Sequence, residues 1–307
     1  MHASRRALIV HTLIRASIAI GFAAFIAYLV KNGQIALFIA PRMLLLVKLS
    51  AIVLYAIGAY QIYEAYRHIA NRKAACSHCG HAPTGAVSKH IMIYGLFVFP
   101  LLLGILLPNS TMGSALAEKK GMNLNASASG RIIAPKNKET EMEVVKSSPV
   151  VIADSNLNEI SLDERFVADE YNEDFARLAK ELYPQEMIAV KEELFMEILT
   201  SIDLFMEQFQ GKTIEIEGFV YREEDMDQNQ FVVGRFAMDC CTADALPYGV
   251  LVEHNHAGRY ENDSWLKIRA AIGKTAYQGN EIMMLKPISI ERIDEPTSPY
   301  IYPNYDF

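Results

Sequence analysis

Three apolar runs in the first 108 residues constrain this chain more than any other feature. Residues 7–30 carry one charge, Arg15; residues 44–63 carry one, Lys48; residues 91–108 carry none. A helix needs about 20 apolar residues to cross the hydrocarbon core of a bilayer, so the pattern predicts transmembrane helices over 7–30, 44–63 and 91–108. Arg15 and Lys48 lie near span ends, where a long side chain keeps its charged head at the interface. Lys31, Asn32 and Gly33 follow the first run instead of a small-residue cleavage site, which argues against a removed signal peptide.

Charge divides the chain at the same place. Residues 1–117 hold ten Lys/Arg and one acid, Glu64, whereas residues 118–307 hold nineteen Lys/Arg and 35 acids. A basic, apolar third joined to an acidic remainder excludes a simple soluble globule. The acidic part would repel phosphates on average, which argues against nucleic acid as a partner. Arg5, Arg6, Arg67, Arg72, Lys73 and Lys89 flank one side of the expected spans, and only Lys31 and Arg42 the other. Basic loops stay inside, so the N-terminus and the 64–90 loop are expected in the cytoplasm and residues 109–307 outside.

Residues 109–150 are poor in aromatics and rich in Ser, Asn, Gly and Lys, the composition of a flexible linker. Ala115-Leu116-Ala117 resembles a peptidase site behind an apolar run; a polar exit from the span is the simpler reading. Residues 151–307 form the expected extracytoplasmic domain, helical over 170–210 and barrel-like over 211–295. Apolar residues at helical spacing mark helices over 174–181 and 185–209. From Gly211 the period becomes two. Strand-like runs cover 213–220, 230–238, 248–254, 265–272 and 281–290, with turn signals between them. Five short strands suggest a small barrel, and Gly218 would permit the sharp coil of a first strand like that of OB-fold barrels. The fold class expected is thus a membrane-anchored α+β chain: three transmembrane helices, a tether, then an OB-like domain with a helical N-terminal part.

The four cysteines form two pairs. Cys76 and Cys79, with His78, His81 and His90 beside them and His68 nearby, offer thiolates and imidazoles that suit Zn²⁺. No thioredoxin-like pattern surrounds them, so redox chemistry fits less well. The second pair stands in Asp239-Cys240-Cys241-Thr-Ala-Asp244. Three readings stay open: a strained vicinal disulfide, a soft-metal site recruiting Asp239, Asp244, His254 or His256, and a buried structural pair. On a strand the two rings of His254-Asn-His256 would share one face, as two metal nitrogens require; beside Gly258 the segment reads equally well as a turn. Trp265 reads as a core anchor. No Walker loop, GxSxG, HExxH or dinucleotide fingerprint occurs, so nothing positive supports an enzyme.

Phe38-Ile-Ala-Pro41-Arg42-Met43, the Cys/His-bearing loop, Gly211-Lys-x-Ile-x-Ile-x-Gly218-Phe-Val-Tyr221, and Arg235-Phe-x-x-x-Cys240-Cys241-x-Ala-Asp244-Ala followed by Trp265 resemble the YcgQ-like family of bacterial membrane proteins, over nearly the whole chain. The resemblance implies partnership with a YraQ-type multi-span permease and a role in metal homeostasis. Cys76 and Cys79 stand where relatives tend to carry His-rich loops. The leading expectation is a non-enzymatic accessory subunit of a permease. The alternatives are a stand-alone metal sensor or delivery protein and a thiol oxidoreductase.

Overall fold

The computed structural model describes residues 2–70, 87–107, 111–124, 161–223 and 226–307. It divides into two units, Met1–Thr111 with Cys240–Asp244, and Met112–Asp239 with Ala245–Phe307. In the first unit the apolar runs fold as α1 (His2–Lys31), α2 (Leu44–Ala70) and α3 (Val87–Leu106). Large apolar side chains stand exposed along them, among them Leu45 at 66%, Tyr60 at 65% and Leu96 at 73%. A helix apolar on all sides and buried on few of them suits lipid, not water. Ile9–Lys31 and Pro41–Ala70 are long and apolar enough to cross a membrane, while Met92–Leu106 is a shorter apolar helix. At 1.5 Å per residue that third stretch rises about 22 Å, against a hydrocarbon core of about 30 Å. Two of the three expected spans therefore reach full length among the described residues.

The turn between α1 and α2 is built by a glycine. Asn32 and Gly33 donate their backbone N–H groups to Tyr28 and Val30, and Gly33 takes a φ of 71°, a left-handed value that costs a glycine little. Two 3₁₀ turns, Gln34–Leu37 and Pro41–Met43, then lead into α2. The helices fold back on each other where Gly58 faces Ile20 and Ala16; a Cβ on Gly58 would sit 2.5 Å from the Ile20 side chain. Between α1 and α3, His11 meets Tyr94, Gly21 meets Leu101, and Phe25 meets Gly104. Partners advance together along both helices, so α1 and α3 run parallel.

The second unit contains α4 (Ser114–Lys120), α5 (Leu162–Arg165), α6 (Glu173–Leu182), α7 (Phe195–Leu204) and α8 (Met206–Phe209). Its strands are β1 (Met187–Ala189), β2 (Thr213–Tyr221), β3 (Gln230–Ala237), β4 (Leu246–Glu253), β5 (Trp265–Tyr277), β6 (Asn280–Ile293) and β7 (Tyr300–Ile301). They form a seven-stranded sheet in the order β1-β2-β5-β6-β4-β3-β7, and β2 also pairs with β3. The circuit β2-β5-β6-β4-β3 thus returns to its start, with β4 and β6 parallel and its other pairs antiparallel. β5 and β6 join through Gln278 and Gly279, both at positive φ, the backbone of a tight hairpin turn. Phe166, Phe205, Phe209 and Tyr183 pack edge-on or tilted at one end of the core, beside Ile188, Ile202 and Ile214, which are fully buried.

Two stretches differ from the sequence expectation. The helix expected over 185–209 is broken: residues 187–189 form β1, parallel to β2, with Ile188 opposite Ile214. Ile188 fills the sheet edge, and the Val190 N–H continues to the Glu215 carbonyl, so a pairing partner far along the chain overrides a helical apolar period. Within the expected tether, residues 114–120 are helical, Ala117 is fully buried, and Asn123 bridges to Tyr248. Asp263 accepts hydrogen bonds from the Ser114 amide at 2.5 Å and its hydroxyl at 2.8 Å. Local composition could not show partners more than a hundred residues away. The rest of that stretch, residues 109–110 and 125–150, lies outside the described residues.

Candidate metal centre

The β3–β4 connection leaves a strand end that is held firmly. β7 lies parallel to Phe236 and Ala237, the Met238 N–H donates to the Ile301 carbonyl, and the Tyr305 hydroxyl donates to Asp239. Upstream in β3, the buried Arg235 guanidinium lies over the Trp265 ring at 5.3 Å and pairs with Glu192 at 3.4 Å. Where the chain returns, the Lys120 ammonium donates to the Ala245 carbonyl. A short loop between two fixed ends has few conformations to choose from.

That loop is closed by its own carboxylate. One oxygen of Asp244 accepts the backbone N–H of Cys240 at 2.8 Å and of Cys241 at 3.2 Å, and the Asp244 N–H donates back to the Cys241 carbonyl. The two sulfurs stand 3.5 Å apart as free thiols, so the pair is not the vicinal disulfide weighed above. Both cysteines are half-buried, so neither is a core residue. One donor atom from each of Cys240, Cys241 and Asp244 lies within 4.8 Å of the others. Hydrogen bonding to Asp244 and then to Cys241, with burial after these, pushes the Cys240 thiol pKa up to about 12.

The loop is also paired. Ala40 donates its N–H to the Cys240 carbonyl at 3.0 Å, and Thr242 donates to the Phe38 carbonyl at 3.0 Å. These two bonds flank an antiparallel bridge between Ile39 and Cys241. The Phe38-Ile-Ala-Pro41-Arg42 motif thus lies against the Cys-Cys motif inside one unit. The sequence displayed both motifs without showing that they meet.

The other expected ligands fall elsewhere. His254 and His256 are in a turn after β4, not on the strand, because β4 ends at Glu253 and His256 opens the 3₁₀ turn Ala257–Arg259. Their rings are edge-on at 5.9 Å, and the His254 Nδ1 accepts the His256 backbone N–H. They and Asp239 belong to the second unit, whereas Cys240–Asp244 belongs to the first. Cys76, His78, Cys79 and His81 lie outside the described residues, as does the side chain of His90. A pair the sequence reading passed over is His11 and Tyr94, joined at 2.8 Å between α1 and α3.

Comparison with known families gives the setting. The DUF1980 N-terminal domain matches residues 14–123 and the DUF1980 C-terminal domain residues 165–303. The chain belongs to the DUF1980 family. Both halves of the Ile39–Cys241 bridge fall inside the matched regions. This DUF1980 chain is 26% identical to the UPF0703 protein YcgQ of Bacillus subtilis over 216 residues, which cover 70% of this chain and 69% of the relative. It is 23% identical over 212 residues to a Streptococcus mutans protein whose name proposes it as a two-component membrane permease complex subunit, covering 67% of this chain and 72% of that one. No solved structure gives a significant match.

Proposed function

We propose that this DUF1980 chain is a non-enzymatic accessory subunit of a multi-span permease, of the YraQ type that the family resemblance implies, and that it serves metal-ion homeostasis. The observation that carries the reading is the character of the helices. The groove between α1 and α3 is lined by Val10, Leu13, Ile14, Ile18, Val98 and Leu101, with Ser17 as its polar member. Such a surface packs against lipid or other helices and offers a hydrated ion no partners, which fits a transport path supplied by another chain. The name of the Streptococcus relative agrees with that division of labour.

The bridge between Ile39 and Cys241 supports an arrangement for the membrane part. The α1–α2 turn and the Cys240–Asp244 loop must share one side of the bilayer. If α1 and α2 both cross, the chain between residues 71 and 239 must cross an odd number of times. α3, parallel to α1, is the apolar helix available among the described residues, and a short span is accommodated by thinning the bilayer or by oligomerising. The positive-inside bias supports a cytoplasmic N-terminus and a sheet unit outside. The closed circuit of β2, β3, β4, β5 and β6, with β4 parallel to β6, supports the OB-like reading of that unit.

The test is co-isolation from native membranes in mild detergent. A multi-span permease held in fixed ratio, together with a fall in this chain's level when the permease gene is deleted, supports the proposal. Unchanged abundance and a chain that migrates alone refute it, and favour the second reading, a stand-alone metal sensor or delivery protein, which the Cys240, Cys241 and Asp244 cluster would serve.

A further inference from the structure

We infer that Cys240, Cys241 and Asp244 form an open, three-donor site for a four-coordinate thiophilic divalent cation of the Zn²⁺ class, and that filling it fastens the loop onto the α1–α2 turn. The inference rests on the metal-handling part of the reading above and names its site, its ligand class and its structural consequence.

The sulfur separation selects the ion. Two sulfurs each about 2.3 Å from one ion and 3.5 Å apart subtend about 99° at the metal, near the tetrahedral angle. A linear two-coordinate ion would need them about 4.6 Å apart on the same bond length, so the separation found favours a tetrahedral ion over a linear one. The third donor is a carboxylate oxygen within 4.8 Å of both sulfurs. Sulfur and oxygen donors of a tetrahedral ion stand about 3.5 Å apart, a separation that modest rotations of half-buried side chains reach. Asp244 already organises the loop through the Cys240 and Cys241 amides, so the donors are gathered before any ion arrives. Three protein donors among the described residues leave the fourth position open. A closed set of four is the mark of a structural site, whereas an open position lets an ion arrive from, or pass to, a further ligand.

The consequence follows from the bonds on either side of the sulfurs. The Cys240 carbonyl and the Thr242 N–H hold Ala40 and Phe38. An ion that ties the Cys240 and Cys241 side chains together restricts the backbone carrying both of those bonds. Occupancy therefore reads out at residues 38–40, the segment that leads into α2.

The experiment uses the full chain in detergent, in a Cys76→Ser/Cys79→Ser background so that the other thiol pair contributes no metal. Zn²⁺ is added, excess is removed by gel filtration, and bound zinc is measured alongside amide hydrogen exchange of peptides spanning residues 36–44. The expected result is one zinc per chain, lost at least tenfold in affinity in Cys240→Ser and Cys241→Ser and weakened in Asp244→Asn, with slower exchange at residues 38–40 only when zinc is bound. Circular dichroism and the Trp265 emission of each variant establish that it is folded. Zinc bound equally by the serine variants, or no zinc at all by the folded parent, overturns the site. Zinc bound through the cysteines without slower exchange overturns the fastening. Permease co-isolation by the Cys240→Ser variant is scored separately: if it persists while zinc is lost, the site and the accessory role are separable, and if it fails in the parent while zinc binds, the accessory role falls and the site stands.

Discussion

Replacing Gly234 by alanine is expected to damage the sheet far more than a single methyl group usually does. Gly218, Gly234 and Gly249 lie side by side on β2, β3 and β4, with Gly234 paired to Gly249 and next to the β2 register at Phe219. A Cβ on Gly234 would stand 2.4 Å from the Tyr248 carbonyl oxygen and 3.1 Å from the Gly249 Cα. An ordinary contact needs about 1 Å more. Both neighbours are backbone, so the strands themselves must part. Moving β3 from β4 by about 1 Å stretches a ladder bond of about 2.9 Å beyond hydrogen-bonding range. Two such bonds at about 1 kcal/mol each, with about 1–3 kcal/mol of overpacking, total about 3–5 kcal/mol. For a unit of this size that lowers Tm by about 6–20 °C. Trp265 is the chain's one tryptophan and lies in β5, so its emission during thermal unfolding reports on this unit and not on the helices. Gly273→Ala on β5 is the internal control, because its Cβ would meet the Met284 oxygen at 3.5 Å, an ordinary contact. A Gly234→Ala protein within about 0.5 kcal/mol of the parent, or a Gly273→Ala protein equally destabilised, would refute the close-approach argument.

Other expectations follow from the same packing. Phe209→Ala removes a fully buried ring that touches Phe166 and Tyr183, and thermal unfolding should show a loss of about 3–5 kcal/mol. Gly58→Leu drives a side chain into Ile20 and Ala16; gel filtration in detergent should show a less compact, aggregation-prone chain, whereas an unchanged profile would mean that α1 and α2 do not pack there. Glu215 bridges Lys267 at 3.0 Å and Arg269 at 3.2 Å across β2 and β5, and its carboxyl is held below the usual carboxylate range chiefly by the Lys267 hydrogen bond. A lowered folded pKa stabilises above the unfolded value and is lost as pH falls through the folded one. Glu215→Gln should therefore cost about 0.5–1 kcal/mol at neutral pH, and the gap from the parent should close under acid denaturation; a gap that widens with acid would contradict the assignment.

β5 and the first half of β2 were legible because one face is buried and the other is not, and β3 because its apolar run is buried on both faces. Thr213 to Tyr221 alternates strictly over its first half, and the turn at Gln278-Gly279 was written in its residue types, whereas the turn expected at Pro247 is strand, with Pro247 in β4 opposite Phe236. β1 and β7 were not legible, since a strand of two or three residues has no period and exists only through its neighbour. The same holds for α4, whose buried Ala117 depends on partners in β4 and around Asp263. At the candidate site, the sequence offered six possible ligands around Cys240. Spacing alone could not separate Asp244, which closes the loop by hydrogen bonds, from His254 and His256, which sit in a turn beyond the next strand. The role of residues 38–40 was hidden for a plainer reason: a backbone bridge leaves no trace in side-chain chemistry.

The pairing of the α1–α2 turn with the cysteine loop is the claim on which the membrane arrangement and the fastening both depend, and one measurement reaches it directly. The Ile39 and Cys241 positions face each other between the two flanking bonds, a narrow pair whose side chains come close. With Cys76, Cys79 and Cys240 changed to serine and Ile39→Cys introduced, native membranes treated with a mild oxidant should yield a disulfide between positions 39 and 241 within one chain, identified by mass spectrometry of the linked peptides. Two thiols that stay reduced and alkylable, or that an impermeant reagent labels from opposite sides of the membrane, would contradict the account.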